Sequence, residues 1–438
     1  MTLDNYKRIK VVWVCHFSDK KIRQLLSFDK LYYRRFLHWI TKKPLLVEFD
    51  YSSWISNAIR QFENFGDIEL SIIFPHNGVT RNNKVIESNG IHYYCFRSED
   101  DNIFSYIKSR LFKKYHLPYE NNRKVISAII KDINPDIVHF IGAENPYYSL
   151  AALDIPHKTP CLVSLQTLLS VPGFTKKSSM NKDIYDYRSQ IEAQVINRCD
   201  YIASGSPFIR GSVINILKSN AKVLNLSLAV GVDITACPNE NKEFDFVYFS
   251  GFIDKAGDDA VESFAIACKK HPFLTLNISG AYSNDFKSKL DARIQELGVK
   301  KNVIFTGAKS THDEVLEQIK KARFALIPLK LDMISSTVRE AMACGLPVVT
   351  TRTPGTPELN KDRLSVLLSE KGDYVEMAEN ICRLVEDESF SKRIRDNALL
   401  TVHEQYSNEI FMKKWRSAYY AILDEINYGK AIPESLKN

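Results

Sequence analysis

No apolar run in this 438-residue chain reaches the ~18 residues that a membrane-spanning helix needs. The opening MTLDNYKRIK leads into a strand rather than into the apolar core of a signal peptide. Export and membrane spanning are therefore not expected, and a cytoplasmic place is. Paired cysteines are missing too: Cys15, Cys95, Cys161, Cys199, Cys237, Cys268, Cys344 and Cys382 stand with no two at metal-ligand or redox spacing. That argues for a reducing compartment and against zinc, the thiols serving as apolar fillers of strand and helix cores. Internal repeats, low-complexity tracts and nucleic-acid-binding motifs are also absent, which removes solenoids and nucleic-acid readers from consideration.

What is present is an ordinary soluble composition, 45% apolar and 25% charged, in a chain long enough for two domains of common size. Strand-like apolar runs alternate with helical stretches throughout, the pattern of parallel sheets with crossover helices. One sheet is expected from Ile9–Cys15, Glu69–Phe74, Ile91–Phe96, Asp136–Ile141, Pro160–Leu165, Asp200–Ala203 and Lys222–Leu226. A second is expected from Asp245–Ser250, Leu274–Ser279, Asn302–Thr306, Phe324–Pro328, Pro347–Thr350 and Ser365–Leu368. The polar break Pro238–Glu243 reads as the linker, so the domains are expected at 1–236 and 237–408, with a tail helix 409–428 crossing back to the first. In such sheets, ligands sit at the carboxyl ends of the strands.

The most telling stretch is Asp332 to Leu359, DMISSTVREAMACGLPVVTTRTPGTPEL. Asp332 is followed, after seven residues, by Glu340 in a helix that Gly345 stops and Pro347 cannot continue. The helix start at Ser335, Ser336 and Thr337 is an anion site, because its amides are unpaired and its dipole end is positive. Glu340, one turn in, has the reach to accept two hydrogen bonds from a ribose diol. The same Thr337-x-x-Glu340 spacing is also that of a capping box, with the glutamate returning to the cap amide, and spacing alone leaves both open.

From about Val230 to Leu423, the chain resembles the donor half of a glycosyltransferase family 4 enzyme, of the α/β GT-B fold, in which two Rossmann-like parallel-sheet domains face each other across a cleft. The resemblance rests on Asp332, Glu340, Ala341 to Gly345, Pro347 to Val349 and Gly355 to Leu359. Upstream, Phe249-Ser250-Gly251-Phe252-Ile253-Asp254-Lys255 resembles the family's strand and phosphate loop. Lys255 matches the family lysine there, and Phe252 replaces an arginine; Lys255 also reads as a plain solvated loop lysine. Phe305-Thr306-Gly307-Ala308 stands where the family lays the nucleobase against backbone. The resemblance implies a UDP- or GDP-sugar donor held by Gly251, Phe252, Thr306, Gly307, Ser335, Ser336 and Thr337, with Asp332, Glu340 and Lys255 as the catalytic group. It further implies a retaining transfer, assembled by domain closure, with no cofactor or metal. Asp258-Asp259 fits a helix start and Glu99-Asp100-Asp101 a solvated turn rather than a metal site.

The amino-terminal half resembles the family more loosely, in Asn134 to Phe140 and Arg198 to Ala203. His16, Glu144 and Gln166, each just past an expected strand end, are the acceptor-side candidates. His139, inside a strand, reads rather as a satisfied core histidine. Residues 1–236 hold 31 Lys and Arg against 22 Asp and Glu, net +9, and the rest 28 against 30, net −2. Within the basic half, Lys20, Lys21, Arg23, Lys30, Arg34, Arg35, Lys42 and Lys43 alternate with Phe28, Tyr32, Tyr33, Phe36 and Trp39. Phe104, Tyr106, Phe112 and Tyr115 do so with Lys108, Arg110, Lys113 and Lys114. Such helices suit an anionic membrane surface, and equally an amphipathic packing face. The expected function is sugar transfer to a glycan or lipid-linked saccharide of a bacterial surface polysaccharide, at the inner membrane face. A sugar-nucleotide epimerase on the same fold and a non-catalytic scaffold binding a glycan or protein are the alternatives.

Overall fold

The computed structural model describes residues 8–28, 49–80, 85–99, 118–171, 182–227, 230, 242–330 and 335–437, with Asp254 described by its backbone alone. The chain divides into two compact units, Met1–Leu228 with Phe411–Asn438, and Ala229–Ile410. The expected boundary after residue 236 and most of the linker, Pro238 to Asn241, lie outside the described residues. So do the whole second basic and aromatic cluster and, from the first, all residues beyond Phe28.

The first unit is built on β1 (Ile9–Val14), β2 (Ile68–His76), β3 (Ile86–Ser88), β4 (Ile91–Arg97), β5 (Ile137–Ile141), β6 (Cys161–Ser164), β7 (Tyr201–Ala203) and β8 (Lys222–Leu224). They run in the order β3-β4-β2-β1-β5-β6-β7-β8. Strands covered on both faces must be apolar almost throughout, and central β1 (IKVVWV) is buried at every position but Lys10. Its Val11 lies opposite Leu70 on one side and Ile137 on the other, both parallel. Among the described strands of this sheet the one antiparallel partner is β3, a short edge strand that the sequence reading passes over. It turns into β4 through Asn89 and Gly90, both at positive φ (51° and 74°), the dipeptide that a tight hairpin favours.

The helix Asn408–Tyr428 gives this unit its last layer. Tyr419 Oη accepts from Trp13 Nε1 at 2.7 Å and bonds His139 Nδ1 at 2.8 Å, while His139 Nε2 meets Ser164 Oγ at 2.7 Å. His139 is thus a fully satisfied core histidine, and burial lowers its pKa to about 3. Further along, Trp415 donates to the Ser227 carbonyl, and Arg416 and Tyr420 both reach Asp67.

The second unit is a parallel sheet of β9 (Phe244–Phe252), β10 (Leu276–Ala281), β11 (Val303–Gly307), β12 (Ala322–Ile327), β13 (Val348–Thr351) and β14 (Leu367–Ser369). The order is β11-β10-β9-β12-β13-β14. Phe246, Tyr248, Leu276, Ile278, Phe324 and Leu326 supply one face of its core. Gly280, at φ 148°, has its α-carbon so close to the Ser250 carbonyl on β9 that a β-carbon would collide with it. Both units are therefore the Rossmann-like parallel-sheet α/β domains expected from the alternation of runs.

Candidate functional site

In a parallel sheet all strands present their carboxyl ends on one edge, and the second unit's edge collects the segments that follow β9, β11 and β12. After β12, the chain enters the helix Ser336–Ala343 with Ser335 as its N-cap. Ser335 is buried and makes no side-chain cap bond, so the first-turn amides at Ser336 and Thr337 keep their donors. The helix closes with Gly345 at φ 72°, Leu346 N bonding the Ala341 carbonyl and Gly345 N that of Met342, the glycine stop the sequence announces.

Because Ser335 and not Thr337 is the cap, Glu340 is too far along the helix to complete a capping box, and that reading falls. Its side chain is buried, and no hydrogen bond from a described residue reaches the carboxylate; His312 Nε2 stands 3.8 Å from Oε1. Burial pushes the Glu340 carboxyl up, against the lowering pull of His312 and then Arg339. The helix that precedes that of Glu340 in the chain, His312–Lys320, carries a box-like cap whose glutamate returns to the residue before the N-cap. There Thr311 Oγ1 accepts from Glu314 N (3.3 Å) and the Glu314 carboxylate returns to Ser310 N (3.1 Å). That box fixes His312 at the first helical position beside Glu340. Sequence reasoning missed both His312 and Arg339, although Thr311-x-x-Glu314 was there to be read.

Asp332, with residues 331–334, lies outside the described residues. Gly251 and Phe252 end β9, next to β12; a β-carbon on Gly251 would meet nothing within 4 Å, and Phe252 is 50% exposed. Lys255 closes a short 3-10 turn, exposed, with no acid among the described residues paired to it. Lys330, by contrast, is committed: its Nζ lies 2.7 Å from Asp258 and 3.6 Å from Asp259, and Tyr374 Oη donates to Asp259 at 2.7 Å. Thr306 and Gly307 end β11, two strands from β9; Thr306 Oγ1 donates to Asn277, and Gly307 has φ 69°.

The first unit's carboxyl edge gathers His16 after β1, Glu144 after β5 and Gln166 after β6, three adjacent strands. The His16 ring stacks on Tyr51 at 4.3 Å and meets Tyr147 edge-on at 5.2 Å, and its Nδ1 is buried without a partner. Burial, then the neighbouring His76, lower its pKa to about 4, so it is neutral near pH 7. Glu144 lies folded beside Gly142 (φ 102°), where any β-carbon would strike it and Tyr148. Its Oε1 accepts from Asn145 at 2.8 Å, and its Oε2 is buried unpaired. Burial raises the Glu144 carboxyl, partly offset by its own amide and by Arg188. Arg188 clamps this turn through the Glu144 carbonyl (2.7 Å) and Asn145 Oδ1 (2.6 Å). Glu192 lies behind it, its Oε2 accepting from Ser170 N and Oγ, both at 2.7 Å. Gln166 is simply exposed. Arg188, Glu192 and Tyr51 were not singled out in the sequence, since nothing in their spacing sets them apart from ordinary helix and loop residues.

Residues 237–400 match the family described as Glycosyl transferases group 1. Among curated proteins, N-acetyl-alpha-D-glucosaminyl L-malate synthase of Bacillus anthracis is 28% identical over 137 residues, 31% of this chain and 35% of that protein. The match thus spans about a third of the relative's own length. The fold is shared with sucrose-phosphate synthase of Thermosynechococcus elongatus, at TM-score 0.67 and 15% identity over 95% of this chain and 99% of that one. It is also shared with Anabaena HepE in complex with UDP and glucose, at TM-score 0.62 and 14% identity over 94% and 100%. Such neighbours make the architecture GT-B.

Proposed function

We propose that the chain, whose residues 237–400 match the glycosyl transferases group 1 family, moves a sugar from a nucleotide-diphosphate sugar to a saccharide acceptor with retention. The observation that carries this reading is Glu340, a buried carboxylate one turn inside an uncapped helix start and not spent on the cap. Its role is to grip the ribose diol, while the amides at Ser335 to Thr337 hold the diphosphate. Lys255 and those amides meet the charge that grows on the departing phosphate. The bond from the anomeric carbon to the phosphate oxygen breaks, its electron pair leaving with the nucleotide. The acceptor oxygen bonds to the same face of the sugar and gives its proton to the leaving phosphate. Asp332 is assigned to orienting the sugar, and Thr306 and Gly307 to the nucleobase.

That a UDP- and glucose-bound protein shares the fold supports a nucleotide-sugar donor of the UDP or GDP class. The reaction is proposed to need no metal: the paired acids Asp258 and Asp259, at the start of the helix after the loop, are engaged by Lys330 and Tyr374. On the acceptor side, His16, Glu144 and Gln166 are proposed to face a glycan or lipid-linked saccharide of a surface polysaccharide. The net +9 of residues 1–236 supports an acceptor presented at an anionic membrane. Among the described residues no helix is long and apolar enough to cross a membrane.

Phe252, half exposed where the resembled family has arginine, favours one second reading, a non-catalytic scaffold. Calorimetric titration with UDP and GDP, followed by labelled sugar nucleotide with and without saccharide acceptors, separates the readings. Glu340→Gln should weaken nucleotide binding roughly tenfold or more, the loss of charge-assisted bonds, while thermal stability stays or rises because no cap is lost. Equal nucleotide affinity in the variant, or no binding in the parent, sinks the proposal.

A further inference from the structure

Glycine and helix stops set the ligand edge of the second unit; the opposite edge holds a cluster that the transfer reaction does not use. The helix Gly257–Cys268 runs from the end of β9 back to the start of β10, and Tyr374–Glu386 runs back likewise from β14. The two pack side by side, so both carry their last turns at the amino edge of the sheet. Cys382 and Glu386, four residues apart, share one face of the second helix. His271, in the turn after the first helix, is held there by its amide on the Ala267 carbonyl (3.0 Å) and its own carbonyl on Leu274 N (3.2 Å).

These elements bring His271 Nε2, Cys382 Sγ and a Glu386 carboxylate oxygen within 4.8 Å of one another. His271 Nε2 and Glu386 Oε1 are already 2.6 Å apart, and Lys270 Nζ bonds the same Oε1 at 2.6 Å. Cys382 is the one described cysteine that is not buried. A groove of about 490 Å³, lined among others by Lys270, Glu379, Cys382 and Glu386, opens beside the trio and gives an ion and its water a way in. The absence of cysteine pairs, which speaks against zinc in the sequence, does not bear on a site whose other donors are histidine and glutamate.

The geometry points to a zinc-class divalent-cation site made of His271, Cys382 and Glu386, a structural clamp between the turn after the first helix and the end of the second. Imidazole nitrogen, thiolate and carboxylate are the donors that a four-coordinate borderline cation takes, with one position left for water. On binding, the Cys382 proton passes to solvent, the proton that His271 Nε2 donates to Glu386 moves to Nδ1 or to solvent so that the Nε2 lone pair is free for the metal, and thiolate plus carboxylate balance the two positive charges. Lys270 stays on Glu386 and steadies the ligand. Without metal the thiol stays protonated, since burial and the Glu386 charge both raise its pKa.

Cobalt(II) titration of the full-length, metal-stripped protein tests this, because a thiolate ligand gives a charge-transfer absorption that oxygen and nitrogen ligands do not. One equivalent should produce the band, zinc should abolish it by displacement, and zinc should raise the unfolding temperature of the parent. Cys382→Ser should lose the band, and His271→Ala should weaken binding about tenfold or more, as ligand loss exceeds the usual cost of disturbing a ligand's support. Cys268→Ser, one turn before His271 on the neighbouring helix, should keep the band. No band in the parent, a band surviving Cys382→Ser, or parent-like affinity in His271→Ala overturns the site. UDP binding is measured separately, so failure of the clamp leaves the glycosyltransferase reading where it stood.

Discussion

Glu192 has two hydrogen bonds on one carboxylate oxygen and none on the other, at zero exposure. Burial outweighs the Ser170 bonds and lifts its pKa from 4.5 to about 7. In acid both the folded and the unfolded chain carry the proton, and the group costs nothing. As pH rises through the ordinary glutamate range, the unfolded chain ionises first, so stability falls until the folded carboxyl also ionises near neutrality. Glu192→Gln keeps an acceptor for Ser170 and removes that loss. Urea unfolding at pH 5, 6.5 and 8 should show the variant gaining on the parent by on the order of 2–3 kcal/mol across the range. A pH-independent difference would show that the carboxyl is not raised. At this scale the sequence was legible only where spacing dictates position. Glu340 could be placed one turn into a helix from Gly345 and Pro347, but cap or ligand group was undecidable until Ser335 proved to be the cap. Glu192 could not be found at all, because desolvation by a fold leaves no mark on a single residue letter.

Elements were far more legible. The strands were readable because parallel sheets bury both faces and force apolar runs, whereas β3 escaped because three residues at an edge need none, despite its Asn89-Gly90 turn. The loop after β9 shows what an element does with a lost charge. Phe252 is half exposed where the resembled family has arginine, and Lys330 is neutralised by Asp258. Lys255 is then the loop's cation with no acid paired to it among the described residues. Lys255→Ala should lower turnover by about 10², the usual cost of one preorganised charge partner, with a smaller change in KM. Phe252→Arg should tighten donor binding severalfold. Steady-state kinetics of the two variants decide the matter, and unchanged turnover in Lys255→Ala removes that residue from the phosphate.

For the whole molecule, the division into units makes a sharper claim than the fold name does. The chain leaves the second unit at Ile410, and its last residues complete the first: Trp13 and His139 in the core find their polar partner in Tyr419, and Tyr201 finds Glu425 at 2.8 Å. Truncation before Phe411 would strand a buried indole N–H and imidazole and remove the buried Trp415 ring that packs on His139, each loss costing about 1–3 kcal/mol or more. The second unit keeps its own sheet and core without that helix. Calorimetry of the truncated chain should therefore lose the first unit's transition. The transition that remains should still shift upward with UDP or GDP, by the roughly 2.7 kcal/mol expected at 100 times Kd if the nucleotide site lies wholly in residues 242–407. Loss of nucleotide protection together with the first transition would mean that the donor site borrows residues from the first unit, and that Glu340 and the Ser335 helix start do not suffice to bind it.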